Sequence, residues 1–332
     1  MRASKGRPAR RAATVPCMRD IILRPALPAL VLALTLTPGC SLKKMAINSV
    51  ANSLADTGYT FAADPDPELI RGAVPFSLKL VESLLAEVPT HRELLLTACS
   101  GFTQYAYGFV DTEAEMLRLE DYARHARVQE RARRMYLRAR DYCLRSLELA
   151  SPGISQRLAR DPTKALATLQ KKDVPLLYWT GASWGKAAAL SLDRPELAGD
   201  FPIVQAVIRR ALELDESWNF GAIHVVMISL EALPRDMGGN RERAALHYQR
   251  AVELTNGNGA APHVSYATGV LLPQQERAAF VAVLQKALAI DVDRELPLRL
   301  ENILAQQHAR YLLDHLDALF LSDKEPDDAP PL

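Results

Sequence analysis

The sequence predicts an all-α protein made of cryptic tetratricopeptide-like helix pairs that form one compact superhelical array. Three observations favour this class. Apolar residues recur at spacings of three and four along most of the chain, as on the buried face of a helix. Strand-like alternation is nearly absent. Glycine and proline fall between the periodic segments, at 88–90, 151–153 and 256–259, where helices are expected to end.

The first 39 residues are predicted to be a signal peptide. They carry seven basic side chains and one acidic one, a net charge of +6, and then the apolar run 26–36. That run is too short for a membrane-spanning helix, which needs about 20 residues. Met18 is expected to be the true start, because a chain beginning there has a compact basic segment before the apolar run.

Cys40 is predicted to carry a lipid. Gly39 precedes it after the apolar run, as in the lipobox of bacterial lipoproteins, although Thr37 stands where a lipobox usually has leucine. Residues 40–65 would then be a tether with a short amphipathic helix, which the Asp64-Pro65-Asp66-Pro67 sequence ends. Ser41 after the cysteine favours the outer membrane, with the protein exposed to the periplasm.

Residues 66–321 are predicted to form the helical domain, and residues 322–332 a disordered, acidic and proline-rich tail. Because the chain has a net charge of +1, the part after residue 39 carries −5. A mildly acidic body argues against nucleic-acid binding. Helices are predicted over the segments 68–88, 92–109, 113–150, 175–192 and 201–214, and further helices follow to residue 321.

A short phrase repeats along this domain: a small residue, an aliphatic residue, any residue, then leucine or isoleucine. Its last two spacings are 40 and 36 residues, near the tetratricopeptide period of about 34 residues. The phrase occurs at 146–149, 211–214, 251–254 and 287–290. Two triplets match the second helix of such a unit and one group matches the first: Ala132, Tyr136 and Ala139; Ala244, Tyr248 and Ala251; and Trp218, Gly221, Ala222 and Val225.

The sequence predicts neither catalysis nor a metal or cofactor site. Its seven histidines form no recognisable ligand motif, and no phosphate-binding glycine loop or nucleophile elbow is present. Cys99 and Cys143 lie in apolar helical segments, so we expect buried free thiols, although the periplasm would permit a bridge between them.

Two segments could form binding surfaces. A stripe of arginines runs along one helix face and is either a solvated, ion-paired face or a surface for an acidic partner: Arg124, Arg127, Arg131, Arg134 and Arg138. The segment 177–185 holds two of the three tryptophans and two glycines. Glycine in a helix costs about 1 kcal/mol relative to alanine, so either another helix or a ligand in a channel is expected close to it.

Taken together, several segments resemble TatT, the T component of TPR-protein-associated TRAP transporters. They are DPELIRGAVPFSLKLVESLL from Asp66, GFTQYAYGFV from Gly101, RARRMYLRARDYCLRSLEL from Arg131, VPLLYWTGASWG from Val174, GAIHVVMISLEALP from Gly221, the Gly238-Gly239 loop and RLENILAQQHARYLLDHLDALFL from Arg299. The resemblance implies a periplasmic lipoprotein that forms a homotrimer, contains a channel in each protomer and binds a soluble solute-binding protein.

On the basis of this resemblance, the candidates for lining the channel are Tyr178, Trp179, Trp184, Trp218, His224, Asn302 and Gln306. The candidates for the partner surface are Arg127, Arg131, Arg134 and Arg138. The transported ligand would be a small organic, hydrophobic molecule. Two other hypotheses are a repeat scaffold lipoprotein in envelope assembly, which would bind peptides or outer-membrane proteins, and an unrecognised enzyme using His224.

Overall fold

The computed structural model describes residues 48–49 and 58–321. The predictions for the signal peptide 1–39, the lipidated Cys40, most of the tether helix and the tail 322–332 lie outside these residues. Throughout 58–321 the regular structure is helical, without a strand, which confirms the all-α prediction. The tetratricopeptide-like arrangement of the helices stays a prediction.

The first half of the domain begins with a capped helix. The carboxylate of Asp66 accepts hydrogen bonds from the backbone amides of Glu68 and Leu69, and Pro67 occupies the first helical position, where its missing N–H costs nothing. The elements are α1 (Gly58–Ala62), α2 (Pro67–Glu87), α3 (Arg92–Tyr105), the π-helical segment π1 (Ala106–Asp111), α4 (Thr112–Leu117) and α5 (Tyr122–Ala150).

The prediction of one helix over 113–150 is wrong. The chain leaves the helix after Leu117, and Asp121 starts a new one by accepting a hydrogen bond from the backbone amide of Arg124 at 2.9 Å. An apolar period alone does not show such a break, because both pieces bury residues at helical spacing.

The second half alternates helices of 12 to 16 residues with shorter ones of four to seven. They are α6 (Ile154–Arg160), α7 (Pro162–Leu166), α8 (Val174–Ala189), α9 (Pro195–Ala198), α10 (Phe201–Leu214), α11 (Trp218–Glu231), α12 (Arg241–Leu254), α13 (Ala261–Tyr266), the π-helical segment π2 (Ala267–Leu271), α14 (Arg277–Leu288), α15 (Arg299–Asp314) and α16 (Leu316–Leu319). Single 3₁₀ turns lie at Lys171–Asp173, Arg235–Met237 and Leu296–Leu298.

The longer helices pack against other long helices that come shortly before or after them in the chain. α3 lies on α5, α8 lies between α5 and α10, α11 pairs with α12, and α14 pairs with α15. On α5 the side chains of Ala132, Tyr136 and Ala139 are fully buried, as the predicted repeat requires of its small and aromatic positions. Small residues at these positions allow close approach of the neighbouring helix.

Cys99 and Cys143 form a disulfide bond that links α3 to α5. Both side chains are fully buried, and their Cα atoms lie 5.4 Å apart. The expectation of free thiols was therefore wrong. Each cysteine lies on the side of its helix that faces the other helix, a pairing in space that the separate sequence contexts do not show.

The last long helix packs against the first part of the domain. On α15, Arg299 donates to the backbone oxygen of Ala63 at 3.1 Å, and the hydroxyl of Tyr311 donates to that of Met116 at 2.7 Å. The last long helix, α15, therefore contacts segments from the beginning of the domain. No helix within 58–321 is long and apolar enough to cross a membrane.

Helix α11 opens with a left-handed turn. Asn219, Phe220 and Gly221 have φ values of 46°, 56° and 79°. Residues other than glycine pay about 1–2 kcal/mol for this conformation. The interpretation of 218–225 as a regular first helix is therefore wrong at its start. A Cβ atom at Gly221 would lie 2.8 Å from Cδ1 of Leu254, so the close approach of α12 also requires glycine here.

Candidate ligand-binding interior

One side of α8 packs closely against α10. A Cβ atom at Gly181 would overlap the side chain of Ile208, and one at Gly185 would lie 3.1 Å from Val204, both on α10. Trp184 lies on the same side, where its indole Nε1 donates to Asp200 at 2.8 Å. Trp184 is thus part of the α8–α10 contact and does not join the other candidate aromatic residues.

The remaining aromatic candidates of α8 lie near its beginning. The ring of Tyr178 lies 4.7 Å from that of Trp179 and 4.7 Å from that of Trp218, while the two tryptophan rings are 6.4 Å apart. All three side chains are partly exposed. The structure therefore brings these three predicted residues into one cluster, which the left-handed turn of α11 completes.

Lys186, near the end of α8, projects toward π1. Its ammonium lies 2.8 Å from the carboxylate of Asp111 and 5.1 Å from the ring centre of Tyr107. The hydroxyl of Tyr136 donates to the same carboxylate at 3.0 Å. Burial acts to lower the pKa of Lys186, but Asp111 and Tyr107 outweigh it and raise this pKa.

Helix α15 contributes a third wall. Glu301, Leu304 and His308 share one face of it, because they are three and four residues apart. A Cβ atom at Gly108 in π1 would lie 3.1 Å from Leu304, and His308 lies 3.3 Å from Glu115 in α4. Glu301 is therefore directed toward the same region as Tyr107 and Lys186.

The electrostatic effects agree with this placement. Burial raises the pKa of Glu301, and no charged neighbour opposes that rise. Burial is the larger cause that raises the pKa of Tyr178, and the negative charge of Glu301 is the second. The pKa of Tyr107 is raised by burial, with Lys186 opposing and Glu301 adding to the rise. The three side chains, which come from α8, π1 and α15, thus influence one another.

These groups combine two properties that rarely occur together. Tyr107 is 44% exposed, the Lys186 side chain is 41% exposed, and Glu301 is exposed as well. Yet protein surrounds each of them closely enough for burial to act on its pKa. Water therefore reaches all three side chains, while the surrounding helices make the charged forms of Tyr107 and Glu301 less favourable.

Three other candidates have partners inside the protein. His224 pairs with the ring of His247, with 2.8 Å between the two Nδ1 atoms, and lies 3.3 Å from Glu216. The amide of Asn302 bonds to the backbone of Ala260 and Asn258, each at 2.8 Å. Gln306 donates to backbone oxygens at the end of α14. These two amides satisfy buried backbone groups, as amides in this position commonly do.

The arginine stripe on α5 divides into two parts. Arg138 forms an ion pair with Glu82 on α2, and Arg134 lies 3.9 Å from Glu130. Arg127 and Arg131 are exposed and have no acidic partner in the part of the chain that the structure describes. Only this second pair leaves its charge available for another molecule.

Sequence reasoning missed Tyr107, Lys186, Asp111 and Glu301. A tyrosine, a lysine and two acids are ordinary residues of exposed helices, and the sequence does not show that π1, α8 and α15 meet. The π-helical segment is itself a signal in the structure, because such segments are frequent at functional sites. Among the described residues, no group of histidine, cysteine and acidic side chains could hold a metal ion.

Together, these features define an all-helical protein in which α8, π1, α11 and α15 carry clusters of aromatic and ionisable side chains. The chain belongs to the family of TRAP transporter T-components, whose model matches residues 63–320. It is also similar to an uncharacterized protein of Treponema pallidum (strain Nichols), with 31% identity over 305 residues that cover 86% of this chain and 94% of the relative. This family membership supports an accessory role in TRAP transport.

Proposed function

We propose that the protein is a periplasmic lipoprotein accessory of a TRAP-type transporter. It binds the solute-binding protein of that system and passes a small organic ligand through its interior. It performs no reaction itself, works as a homotrimer and is held by the lipid on Cys40 at a membrane, of which the outer membrane is the stronger candidate.

The accessible but closely surrounded side chains of Tyr107, Lys186 and Glu301 are the observation that carries the ligand part of this proposal. A structural scaffold has no need at such a place for the carboxyl group of Glu301, which is unpaired within 58–321, because a charge that lacks a partner and is surrounded by protein is costly. Tyr178, Trp179 and Trp218 add apolar area against which an organic molecule can pack.

The disulfide bond supports the periplasmic location. Disulfides persist in oxidising compartments such as the bacterial periplasm and are rare in the cytosol. The predicted signal peptide and lipid site give an independent reason for the same location.

Arg127 and Arg131 support an acidic partner surface. Their guanidinium groups are exposed on one face of α5, and both lack an acidic neighbour within 58–321. Arginine forks bind carboxylates with two hydrogen bonds, so an acidic patch on the solute-binding protein would complement them.

The test is affinity capture of the tagged, full-length lipidated protein from detergent-solubilised membranes, with partners identified by mass spectrometry and the mass of the complex measured. We expect a trimer that carries a TRAP solute-binding protein. Arg127→Glu/Arg131→Glu should weaken this capture at least about tenfold. The matched control, Arg160→Glu/Lys164→Glu on α6 and α7, should not.

Recovery of outer-membrane assembly factors in place of a solute-binding protein would favour the scaffold function instead. Equal capture by both charge-reversal variants would remove α5 from the partner surface.

A further inference from the structure

Helix α2 is apolar on two sides, and the described part of the chain covers only one of them. Four aliphatic side chains of the covered side belong to the core that α2 shares with α3 and α5: Ile70, Leu78, Val81 and Leu85. The other side carries Leu69, Phe76 and Leu80, which are 59%, 74% and 37% exposed. A helix that is apolar all round is normally covered all round, so the exposed side of α2 indicates a further contact.

The three exposed residues form one row, here called the α2 stripe. They are seven and four positions apart, so their directions around the helix axis differ by at most about 40°. The row is about 16 Å long. A Cβ atom at Gly72, beside Leu69 and Phe76 on this side, would meet no neighbouring helix within 4 Å among the described residues. The space in front of the α2 stripe is therefore open.

We propose that the α2 stripe lies on a lipid membrane, with Phe76 and the two leucines at the boundary between the headgroups and the acyl chains. This contact would fix the orientation of the domain at the membrane, which a lipid on a tether alone does not. The inference rests on the proposed function, because it is the lipid on Cys40 that holds the protein there.

The chain before the domain keeps α2 close to a membrane. Residues 41–57 separate the predicted lipid site Cys40 from α1, and α2 is the first long helix that follows. Even fully extended, this segment spans only about 60 Å. A surface of the domain that binds lipid, even weakly, therefore always has a bilayer within reach.

A second copy of the chain fits the α2 stripe less well. A stable interface between protein chains buries about 800 Å² on each partner and involves roughly 20–30 residues of each. The α2 stripe is a single row of three large side chains, with the exposed Glu68 and Lys79 along one edge. Helices that lie in the surface of a membrane insert an apolar row of this kind and keep their charged residues in the headgroup region.

The charge of α2 predicts how this contact responds to salt. The helix carries two basic residues and three acidic ones, a net charge of −1: Arg71, Lys79, Glu68, Glu82 and Glu87. Attraction to anionic headgroups therefore does not drive the contact. Burial of the apolar side chains does, and salt screens such a contact little.

The test is flotation of the mature chain 40–332 with vesicles of phosphatidylethanolamine and phosphatidylglycerol, after Cys40→Ser has removed the lipid site. We expect the protein to bind the vesicles and to keep its partition coefficient between about 0.1 M and 0.5 M NaCl. Phe76→Ser/Leu80→Ser should lower this coefficient at least about tenfold. The matched control Leu192→Ser/Leu246→Ser alters side chains that are 64% and 63% exposed outside α2 and should not change it.

A fluorescent label tests the position of the α2 stripe directly. In the same mature chain Cys99 and Cys143 are bonded, so Phe76→Cys adds a single free thiol. An environment-sensitive dye on this thiol should be quenched by spin-labelled lipid in the vesicles. The same dye on Leu246→Cys, on α12, should not be.

Absence of vesicle binding by the unlipidated chain would overturn the inference, as would binding that is lost at high salt or that both serine variants retain equally. So would a smaller complex mass of Phe76→Ser/Leu80→Ser in solution, because the α2 stripe would then lie between copies of the chain.

Capture of the solute-binding protein is measured separately, on the full-length lipidated protein. If capture succeeds while the unlipidated chain does not bind vesicles, the lipid contact is wrong and the transport function stands. If vesicles are bound and capture fails, the transport function is wrong and the lipid contact stands.

Discussion

The two sides of helix α8 differ in how their polar and aromatic groups are satisfied. On one side, Gly181 and Gly185 admit α10 and Trp184 donates to Asp200, so every group has its partner within the fold. On the other side, Lys186 reaches Asp111 of π1 and the ring of Tyr107, and its side chain stays 41% exposed. The comparison shows that one helix can pack tightly on one face and keep a charged group accessible to water on another.

This division explains what the sequence could predict here. The glycines in 177–185 were expected to mean either a neighbouring helix or a ligand in a channel. The structure shows a neighbouring helix on the glycine side, and the channel remains a proposal for the opposite side. Trp184 and Tyr178 lie at different positions around the helix. Which of the two contacts α10 depends on how the helices pack, and the sequence of this segment does not show that packing.

The sequence predicted local features of the fold, such as helix ends, but not the contacts between residues far apart in the chain. Proline, glycine and capping residues act within a few positions, so the C-terminal ends of α2, α5 and α12 follow from the sequence. The disulfide and the approach of Leu304 to Gly108 depend on residues far apart in the chain. Packing decides both, and no local pattern encodes them.

The largest expected effect comes from removing the disulfide bond between α3 and α5. Cys99 and Cys143 are 44 residues apart and tie α3 to α5, on which α8 packs. Closing a loop of that length in the unfolded chain is worth about 4 kcal/mol. Cys99→Ala/Cys143→Ala should lower the free energy of unfolding by about this amount in guanidinium titrations.

The control for this prediction is the unaltered protein treated with a reductant, which should lose similar stability. If the unreduced, unfolded protein has two more titratable thiols than the double alanine variant, the bond does not form.

The next effect compares the two sides of α8 directly. Gly181→Val places a branched side chain against Ile208 and should lower the free energy of unfolding by about 3 kcal/mol. Ala182→Val adds a β-branched side chain to the same helix at a partly exposed position and should cost less than about 1 kcal/mol. Equal losses in thermal or denaturant unfolding would mean that α10 does not approach α8 closely.

The smallest effect concerns three histidines whose side chains contact other residues of the protein. Burial, helped by Lys286, lowers the pKa of His263 to about 4. Burial also lowers the pKa values of His224 and His247. Imidazoles of the unfolded chain titrate near 6.5, so the unfolded state takes up these protons first as the pH falls. The free energy of unfolding should therefore decrease from about pH 7 toward pH 4.

Each of these histidines can contribute a slope of up to about 1.4 kcal/mol per pH unit. Denaturant unfolding at several pH values between about 7 and 5 measures the total slope. His263→Gln removes one titrating group and should make the slope shallower. An unchanged slope in this variant would show that His263 has the same pKa in the folded and the unfolded protein.

The central claim is that Tyr178 faces a space that is accessible to water and surrounded by protein, and thiol labelling tests it most directly. In a Cys17→Ser/Cys40→Ser background, in which Cys99 and Cys143 are bonded to each other, Tyr178→Cys adds a single free thiol. We predict that a small methanethiosulfonate reagent modifies this thiol, while a polymer-linked maleimide does not. The control Leu192→Cys, at an exposed site, should react with both. Reaction of Tyr178→Cys with both reagents would mean an open surface and with neither a packed core, and either result would contradict the claim.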